Sequence, residues 1–348
     1  MTDKADIPYF SMFSGIGGFE LGLQNASNRF KCVGYSEIDK FAIRTYESHF
    51  KGVKNYGDAT KIKPDQLPRF DLLTGGFPCQ AFSISGNRLG FKDNRGNLFF
   101  EIYRVIRARK PRIVFLENVK GLLSHSEGRT FAVILSKMDE LGYNVEWEVL
   151  NSKHFGVPQN RERVFIIGHI RGESFRQIFP LFKSDSENKE LCGKSLKTYQ
   201  KSHFQTGRVY QVDGISPSII TPSGGNHLPI ILSNQPRTGD PFKGGTGLLA
   251  SDEYSFTIDT KPHLVLPAIT LELSKSYGKY QSPKILDILE QNGTNLRRIT
   301  PIECERLQGF PDNWTLGSDT ARYRQLGNAV TTNVITEIGK EIEKNVFC

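Results

Sequence analysis

In this 348-residue chain, the residues whose types and neighbours could do chemistry fall at a few places. Cys79 directly follows Gly75-Gly76-Phe77-Pro78 and precedes Gln80, just beyond an apolar run from Asp71 to Thr74. Open α/β sheets hold their ligands at the carboxyl ends of their strands, and a thiolate there could act as a nucleophile. A solitary cysteine is otherwise an inert small hydrophobe, so the neighbours carry the reading. Glu117 ends the run Ile113 to Leu116 and is followed by Asn118-Val119. Burial favours the protonated form of a carboxyl group, which suits a proton donor; the alternative is a cap on the next turn. Gln159-Asn160-Arg161-Glu162-Arg163 leads into another run from Val164. Strand alternation would point Arg161 and Arg163 to one face, where two cations could activate a thiol or hold an anion, unless a salt bridge to Glu162 occupies them.

A second group suits a nucleotide-like ligand. Phe13-Ser14-Gly15-Ile16-Gly17-Gly18-Phe19 follows a strand and opens a helix, so its glycines could let the backbone approach a ligand, or could simply make a tight turn. Glu37, 22 residues beyond Gly15, ends the next strand, where an acid can bind ribose hydroxyls. Asp58 closes the following segment, where a carboxylate could meet an adenine amino group; the alternative for both acids is a solvated strand end. Ser83 to Gly96 contains Ser85, Asn87, Arg88, Lys92 and Arg95, which suits either a lid that meets phosphates or an exposed loop.

These residues need a scaffold, and the pattern predicts one. Apolar runs at Tyr9–Met12, Cys32–Ser36, Asp71–Thr74, Ile113–Leu116, Tyr143–Leu150 and Val164–Ile167 read as strands. Helical periodicity between them at Lys40–Ser48, Asn97–Arg109 and Arg129–Leu141 predicts a parallel, doubly wound α/β sheet. Beyond Ile170, Gly, Pro, Ser, Thr and Asn become frequent and a loop-rich second domain is expected, with a faint hairpin repeat at 206–221 and 246–260. Thr300 with Pro301 and Glu303 reads as a capping box opening a helix to Gln308, and a last helix is expected from Thr332 to Lys344.

The net charge of +8 and pI near 9.1 favour an anionic partner such as nucleic acid. Cysteines at 32, 79, 192, 304 and 348 make neither a CxxC pair nor a metal cluster, which predicts a reduced, metal-free cytoplasmic protein. No apolar stretch reaches bilayer length, and the N-terminus has no signal-peptide core.

Taken in order, the segments FSGIGGF, SEID, GDA, GFPCQAFSISG, LENVKG, QNRERVFIIG, RITPIECERLQGFPDNW and QLGNAV resemble the bacterial DNA cytosine-5 methyltransferases of restriction-modification systems. The resemblance covers the first 170 residues and the last 50 or so, leaving about 171–295 unmatched. It implies a Rossmann-like S-adenosyl-L-methionine-dependent methyltransferase domain, residues 1–170 with about 325–348, and a smaller, mostly β target-recognition domain over about 171–324. It also implies that Cys79 adds to carbon 6 of a flipped cytosine, Glu117 protonates or hydrogen-bonds N3, Arg163 helps hold the base, and Arg161 and Gln159 support that pocket.

The same resemblance assigns Phe13, Gly15, Ile16, Gly18, Glu37, Ile38, Asp58, Ala59, Pro78 and Asn328 to S-adenosyl-L-methionine, which leaves as S-adenosyl-L-homocysteine with no metal. Ile38 stands where an aromatic residue often follows the acid. Gln80, Ser83, Ser85, Arg88, Arg95, Arg208 and Tyr210 are the expected contacts to double-stranded DNA. A monomer is expected, acting in a bacterial or phage context beside a separate restriction endonuclease. An NAD-linked dehydrogenase explains the glycine loop and Glu37 but leaves Cys79 and Glu117 without a task. A tRNA cytosine methyltransferase and an inactive DNA-binding relative are the other readings.

Overall fold

The computed structural model describes residues 5–77, 98–181, 209–210, 216–217, 230–233 and 295–347. The chain divides into two compact units, one spanning Met1–Asn151, Glu162–Glu187 and Val330–Cys348, the other Ser152–Arg161 and Asn188–Ala329.

The first unit is α/β, with a Rossmann-like six-stranded sheet. Its strands are β1 (Ile7–Met12), β2 (Phe30–Ser36), β3 (Leu72–Gly76), β4 (Ile113–Val119), β5 (Tyr143–Asn151) and β7 (Glu162–Ile170), arranged β2-β1-β3-β4-β7-β5. The strands from β2 to β4 are parallel, but β7 runs antiparallel to both β4 and β5. The wholly parallel sheet expected from the alternation is thus corrected to a mixed one. Only residues 152–161 separate β5 from β7, too few for the helical crossover a parallel return requires. Two strands also outrun their apolar runs. β4 continues through Glu117 and Asn118, and β7 already begins at Glu162, because backbone pairing persists at the sheet edge after hydrophobicity has ended.

Four helices connect these strands in sequence: α1 (Gly18–Ala26), α2 (Lys40–His49), α3 (Leu98–Arg109) and α4 (Arg129–Glu140). Asp39 caps α2 by accepting from the amides of Phe41 and Ala42, and Gly142, at φ 86°, lets the chain leave α4. One face of the sheet, with Phe10, Met12, Leu73, Val114, Leu116 and Ile166, packs on Phe99, Ile102 and Ile106 of α3 and Ile134 and Met138 of α4. Alternation turns Phe115 to the other face, where Phe19 of α1 meets it edge-on at 5.1 Å. The last helix, α7 (Thr332–Val346), lies against α1. A Cβ at Gly22 would come within 2.5 Å of Ile335, and one at Gly339 within 2.9 Å of Ala26, so these glycines permit the close approach.

In the second unit, β6 (Gln159–Asn160) pairs with β9 (Ser216–Pro217), while β11 (Asn295–Arg298), β10 (Ile230–Ser233) and β8 (Val209–Tyr210) form a three-stranded sheet. The helices α5 (Pro301–Leu307) and α6 (Asp319–Asn328) follow. The capping box is present: the amide of Thr300 donates to Glu303 at 2.6 Å, and that of Glu303 to Thr300 Oγ1 at 3.2 Å. Among the described residues no helix is long and apolar enough to cross a membrane. The suggested hairpin repeat and the residues from Pro78 to Asn97 lie outside the described residues.

Candidate functional site

Parallel strands end on one edge, so the turn after β1 and the ends of β2, β3 and β4 gather there, together with the start of the antiparallel β7. After β1 the backbone turns through left-handed conformations at Phe13 (φ 56°), Gly15 (φ 57°) and Gly17 (φ 86°). Phe13 holds this region at a cost of about 1–2 kcal/mol, which the surrounding fold must offset. The amide of Ser14 bonds the carbonyl of Ser36 at 3.2 Å, tying the turn to the end of β2.

The glycines of this turn differ in purpose. A Cβ at Gly15 would meet nothing within 4 Å, whereas one at Gly17 would lie 2.3 Å from the ring of Phe50. Gly15 therefore faces open space and Gly17 serves packing. Ile16 is buried, and Gly18 begins α1, whose N-terminus has no side-chain cap.

Glu37 closes the arc. Its Oε2 accepts from the amide of Gly15 at 2.9 Å, and its Oε1 from those of Ile38 at 2.7 Å and Asp39 at 2.8 Å. Asn55, which nothing in the sequence singled out, holds this acid from behind. Its Oδ1 accepts the Glu37 amide at 3.3 Å and its Nδ2 donates to the Glu37 carbonyl at 3.2 Å. Ile38 is 69% exposed beside it, a large apolar side chain left uncovered. Asp58 caps the short turn Ala59–Lys61, and hydrogen bonds from Thr60 and the nearby Lys61 hold its carboxyl below the ordinary range. Ala59 is buried, and its carbonyl accepts from Arg104 at 2.9 Å.

Glu117, within β4, lies in register with Gly76 of β3. It is buried, and its Oε1 sits 3.0 Å from Nε of Arg163. A cation therefore lies directly against this buried carboxyl. Glu162 takes a separate partner, Lys120, at 3.1 Å. Asn118, also buried, donates to the carbonyl of Phe77 at 2.8 Å, pinning the chain where it leaves β3. Its place within LENVKG was the only signal for this role.

Arg161 precedes β7, so strand alternation does not govern it. It is buried in the second unit and donates through Nη2 to the carbonyls of Gly327 at 3.3 Å and Ala329 at 2.8 Å. Gln159 is buried in the same unit and donates to the Leu307 carbonyl at 2.6 Å. Asn328 ends α6 there, and Tyr210 lies on β8. Pro78, Cys79, Gln80, Ser83, Ser85, Arg88, Arg95 and Arg208 lie outside the described residues. Among those described, no group of three or more His, Cys, Asp or Glu side chains is arranged to hold a metal ion.

With this geometry in hand, the comparisons converge. The C-5 cytosine-specific DNA methylase family matches residues 7–344. The type II methyltransferase M1.ScrFI of Lactococcus lactis subsp. cremoris is 38% identical over 336 residues, 95% of this chain and 76% of that protein. The type II methyltransferase M.NlaX of Neisseria lactamica is 36% identical over 334 residues, covering 95% of each chain. A crystal structure of a Spodoptera frugiperda DNMT2 mutant shares the fold with a TM-score of 0.64 at 17% identity, covering 97% of this chain and 99% of the other.

Proposed function

This chain belongs to the C-5 cytosine-specific DNA methylases, and we propose that it methylates carbon 5 of a cytosine flipped out of a short specific sequence in double-stranded DNA. The methyl donor is S-adenosyl-L-methionine, released as S-adenosyl-L-homocysteine without a metal. Relatives carrying type II names support a protective role in a restriction-modification system, with any cognate endonuclease acting separately. The observation that carries the reading is the Glu117–Arg163 pair at the sheet edge, where the anchored carbonyl of Phe77 leads the chain towards Cys79.

The described residues fit the cofactor. Gly15 leaves open space beside its backbone, Glu37 is oriented by three amides with acceptor capacity remaining on Oε2, and α1 begins uncapped. Gly15, Ile16 and Gly18 would hold its amino-acid end, Glu37 its ribose hydroxyls, and Ile38, Asp58 and Ala59 its adenine, with Phe13, Pro78 and Asn328 completing the set. Bound there, it supplies an electrophilic methyl group.

The protein prepares the acceptor. The Cys79 thiolate bonds to carbon 6 as Glu117 delivers a proton to N3, which leaves carbon 5 an enamine carbon able to accept the methyl group. Arg163 balances the charge that Glu117 then carries and holds the base, while Gln159 and Arg161 brace the pocket. Water takes the carbon 5 proton, the electron pair it leaves expels the Cys79 thiolate, and N3 returns its proton to Glu117, which restores the ring.

Flipping the base costs about a few kcal/mol, offset by contacts from Gln80, Ser83, Ser85, Arg88 and Arg95. Residues 171–324, including Arg208 and Tyr210, form the region that reads the target, and the enzyme acts as a monomer in a bacterial or phage-infected cytoplasm.

Bisulfite sequencing of plasmid DNA from a host expressing this chain tests the reading, beside a Cys79→Ala control. Protected cytosines in one short motif, absent with the control, are expected. Unprotected DNA despite folded protein that binds S-adenosyl-L-homocysteine would overturn it.

A further inference from the structure

Beneath the glycine turn, the first unit buries a polar seam that methyl transfer leaves unused. Tyr9 and Ser11 of β1 share a face with Cys32, opposite Tyr9 on β2, and with Thr74, opposite Ser11 on β3. Glu20 enters from α1 and Tyr46 from α2, each no more than 1% exposed. The Tyr46 hydroxyl donates to Glu20 Oε1 at 3.2 Å and lies 3.5 Å from the sulfur of Cys32. Glu20 also faces Ser11, and Thr74 Oγ1 is buried without a hydrogen-bond partner.

An ionised carboxylate is costly in such a place, and a neutral carboxyl gains an O–H donor that Ser11 Oγ can accept. Among the described residues no cation relieves it. The titratable groups that act on it are Tyr9 from β1, Cys32 and Tyr35 from β2, Tyr46 from α2, and Glu37 beyond β2. On α7, packed against α1, Lys340 pairs with Glu337, Lys344 with Glu341, and Glu343 with Arg29. Burial, with a smaller push from Glu37, raises the Glu20 carboxyl to about 7 despite the hydrogen bonds that oppose it.

The location gives this group leverage. Glu20 stands in the first turn of α1, directly after the glycine turn, and its bond to Tyr46 ties that turn to α2. α2 in turn starts beside Glu37, the acid whose oxygens accept the amides of Gly15, Ile38 and Asp39. We propose that Glu20, carrying a proton, is a positioning residue that clamps the start of α1 to the C-terminal half of α2 so that the glycine turn and Glu37 hold the methyl donor. The proposal rests on the cofactor reading above. Losing the proton puts an uncompensated anion behind both the helix start that would receive the donor's carboxylate and the acid that would hold its ribose. By reciprocity, binding favours the proton and the proton favours binding.

The test is calorimetric titration of the full chain with S-adenosyl-L-homocysteine between pH 6 and 8.5, for the native protein, Glu20→Gln and Tyr46→Phe. Native affinity is expected to weaken by about tenfold as pH rises, while Glu20→Gln keeps the tighter affinity with a flatter profile. Tyr46→Phe, which retains the ring stacked 3.8 Å from Tyr35, is expected to bind more weakly at pH 6. It provides the reading should Glu20→Gln fail to fold. Equal slopes in the native protein and Glu20→Gln, or unchanged binding in Tyr46→Phe, would overturn the clamp alone. Absence of binding by the native protein at every pH would overturn the cofactor reading and the clamp with it.

Discussion

Arg163 reaches Glu117 diagonally across the antiparallel pair β4–β7, Nε to Oε1 at 3.0 Å, because Arg163 lies opposite Val119 and Glu117 two residues earlier faces the same way. Both side chains are largely buried, so removing one leaves the other an unpaired charge. Glu117→Gln keeps the shape but removes the transferable proton. Turnover should fall by about 10²–10⁴-fold, and the melting temperature should drop as well because Arg163 keeps no anionic partner. Transfer of tritiated methyl to duplex DNA measures it, and turnover within a few fold of native would remove Glu117 as proton donor.

The two arginines of this segment should part company. Arg161 spends its Nη2 on two backbone carbonyls, so Arg161→Lys should destabilise by about 1–3 kcal/mol through their loss, with turnover near native once the protein is folded. Arg163→Lys preserves a charge beside Glu117 but not the guanidinium geometry, so its main loss should be in kcat. Thermal denaturation together with single-turnover rates separates them; the same ranking in both assays would contradict the division.

Gly15 and Gly17 both hold positive φ, but only Gly17 is enclosed. Gly15→Ala should fold, at a strain of about 1 kcal/mol, and lose affinity for S-adenosyl-L-homocysteine by at least about tenfold, because its methyl group occupies the ligand's side of the turn. Gly17→Ala drives a methyl group into Phe50 and should melt earlier by an amount equivalent to about 2–4 kcal/mol. Native ligand affinity in Gly15→Ala would show that the open space is not a binding surface.

These contrasts mark where the sequence was legible. The runs in β1, β3 and β4 announce themselves because both faces of those strands are covered, and Thr300 announces a helix start because caps act over two or three residues. Glu37 was legible through its spacing from Gly15, and the two are joined directly. The direction of β7 was not, since an apolar run carries no polarity and only the shortness of its connection to β5 reveals it. Nor was the anchoring of Arg161, whose carbonyl partners lie 166 and 168 residues away, or that of Asn118 on Phe77, 41 residues back. Such partners are set by tertiary packing, which local periodicity does not encode.

Glu20 makes stability depend on pH in a defined direction. Its folded pKa, about 7, lies above the ordinary 4.5, so the native state binds the proton more tightly than the unfolded chain does. The contribution is fully present below pH 4.5, falls as pH rises to about 7, and beyond that leaves a penalty of about 3 kcal/mol. Glu20→Gln, which cannot ionise, should therefore raise stability against urea at pH 8 by roughly that amount relative to its effect at pH 5. Equal effects at both values would mean that Glu20 titrates normally.

Cysteine chemistry offers the sharpest separation of the site from the scaffold. Cys304 is fully buried on α5, and burial, reinforced by Glu303 and Glu305, pushes its thiol well above the usual range. Cys32 is raised to about 12, mainly by burial. Neither can supply a thiolate near neutral pH, whereas the proposed chemistry requires one at Cys79. Cys79→Ser should abolish methyl transfer while leaving binding of S-adenosyl-L-homocysteine intact. Cys304→Ser should transfer methyl at a near-native rate and lose about 1–2 kcal/mol of stability from placing a hydroxyl in an apolar interior. Trapping on duplex DNA carrying 5-fluorocytosine supplies the covalent readout: carbon 5 has no proton to lose there, so an adduct should persist with the native protein and Cys304→Ser but not with Cys79→Ser. An adduct retained in Cys79→Ser would remove that residue as the nucleophile.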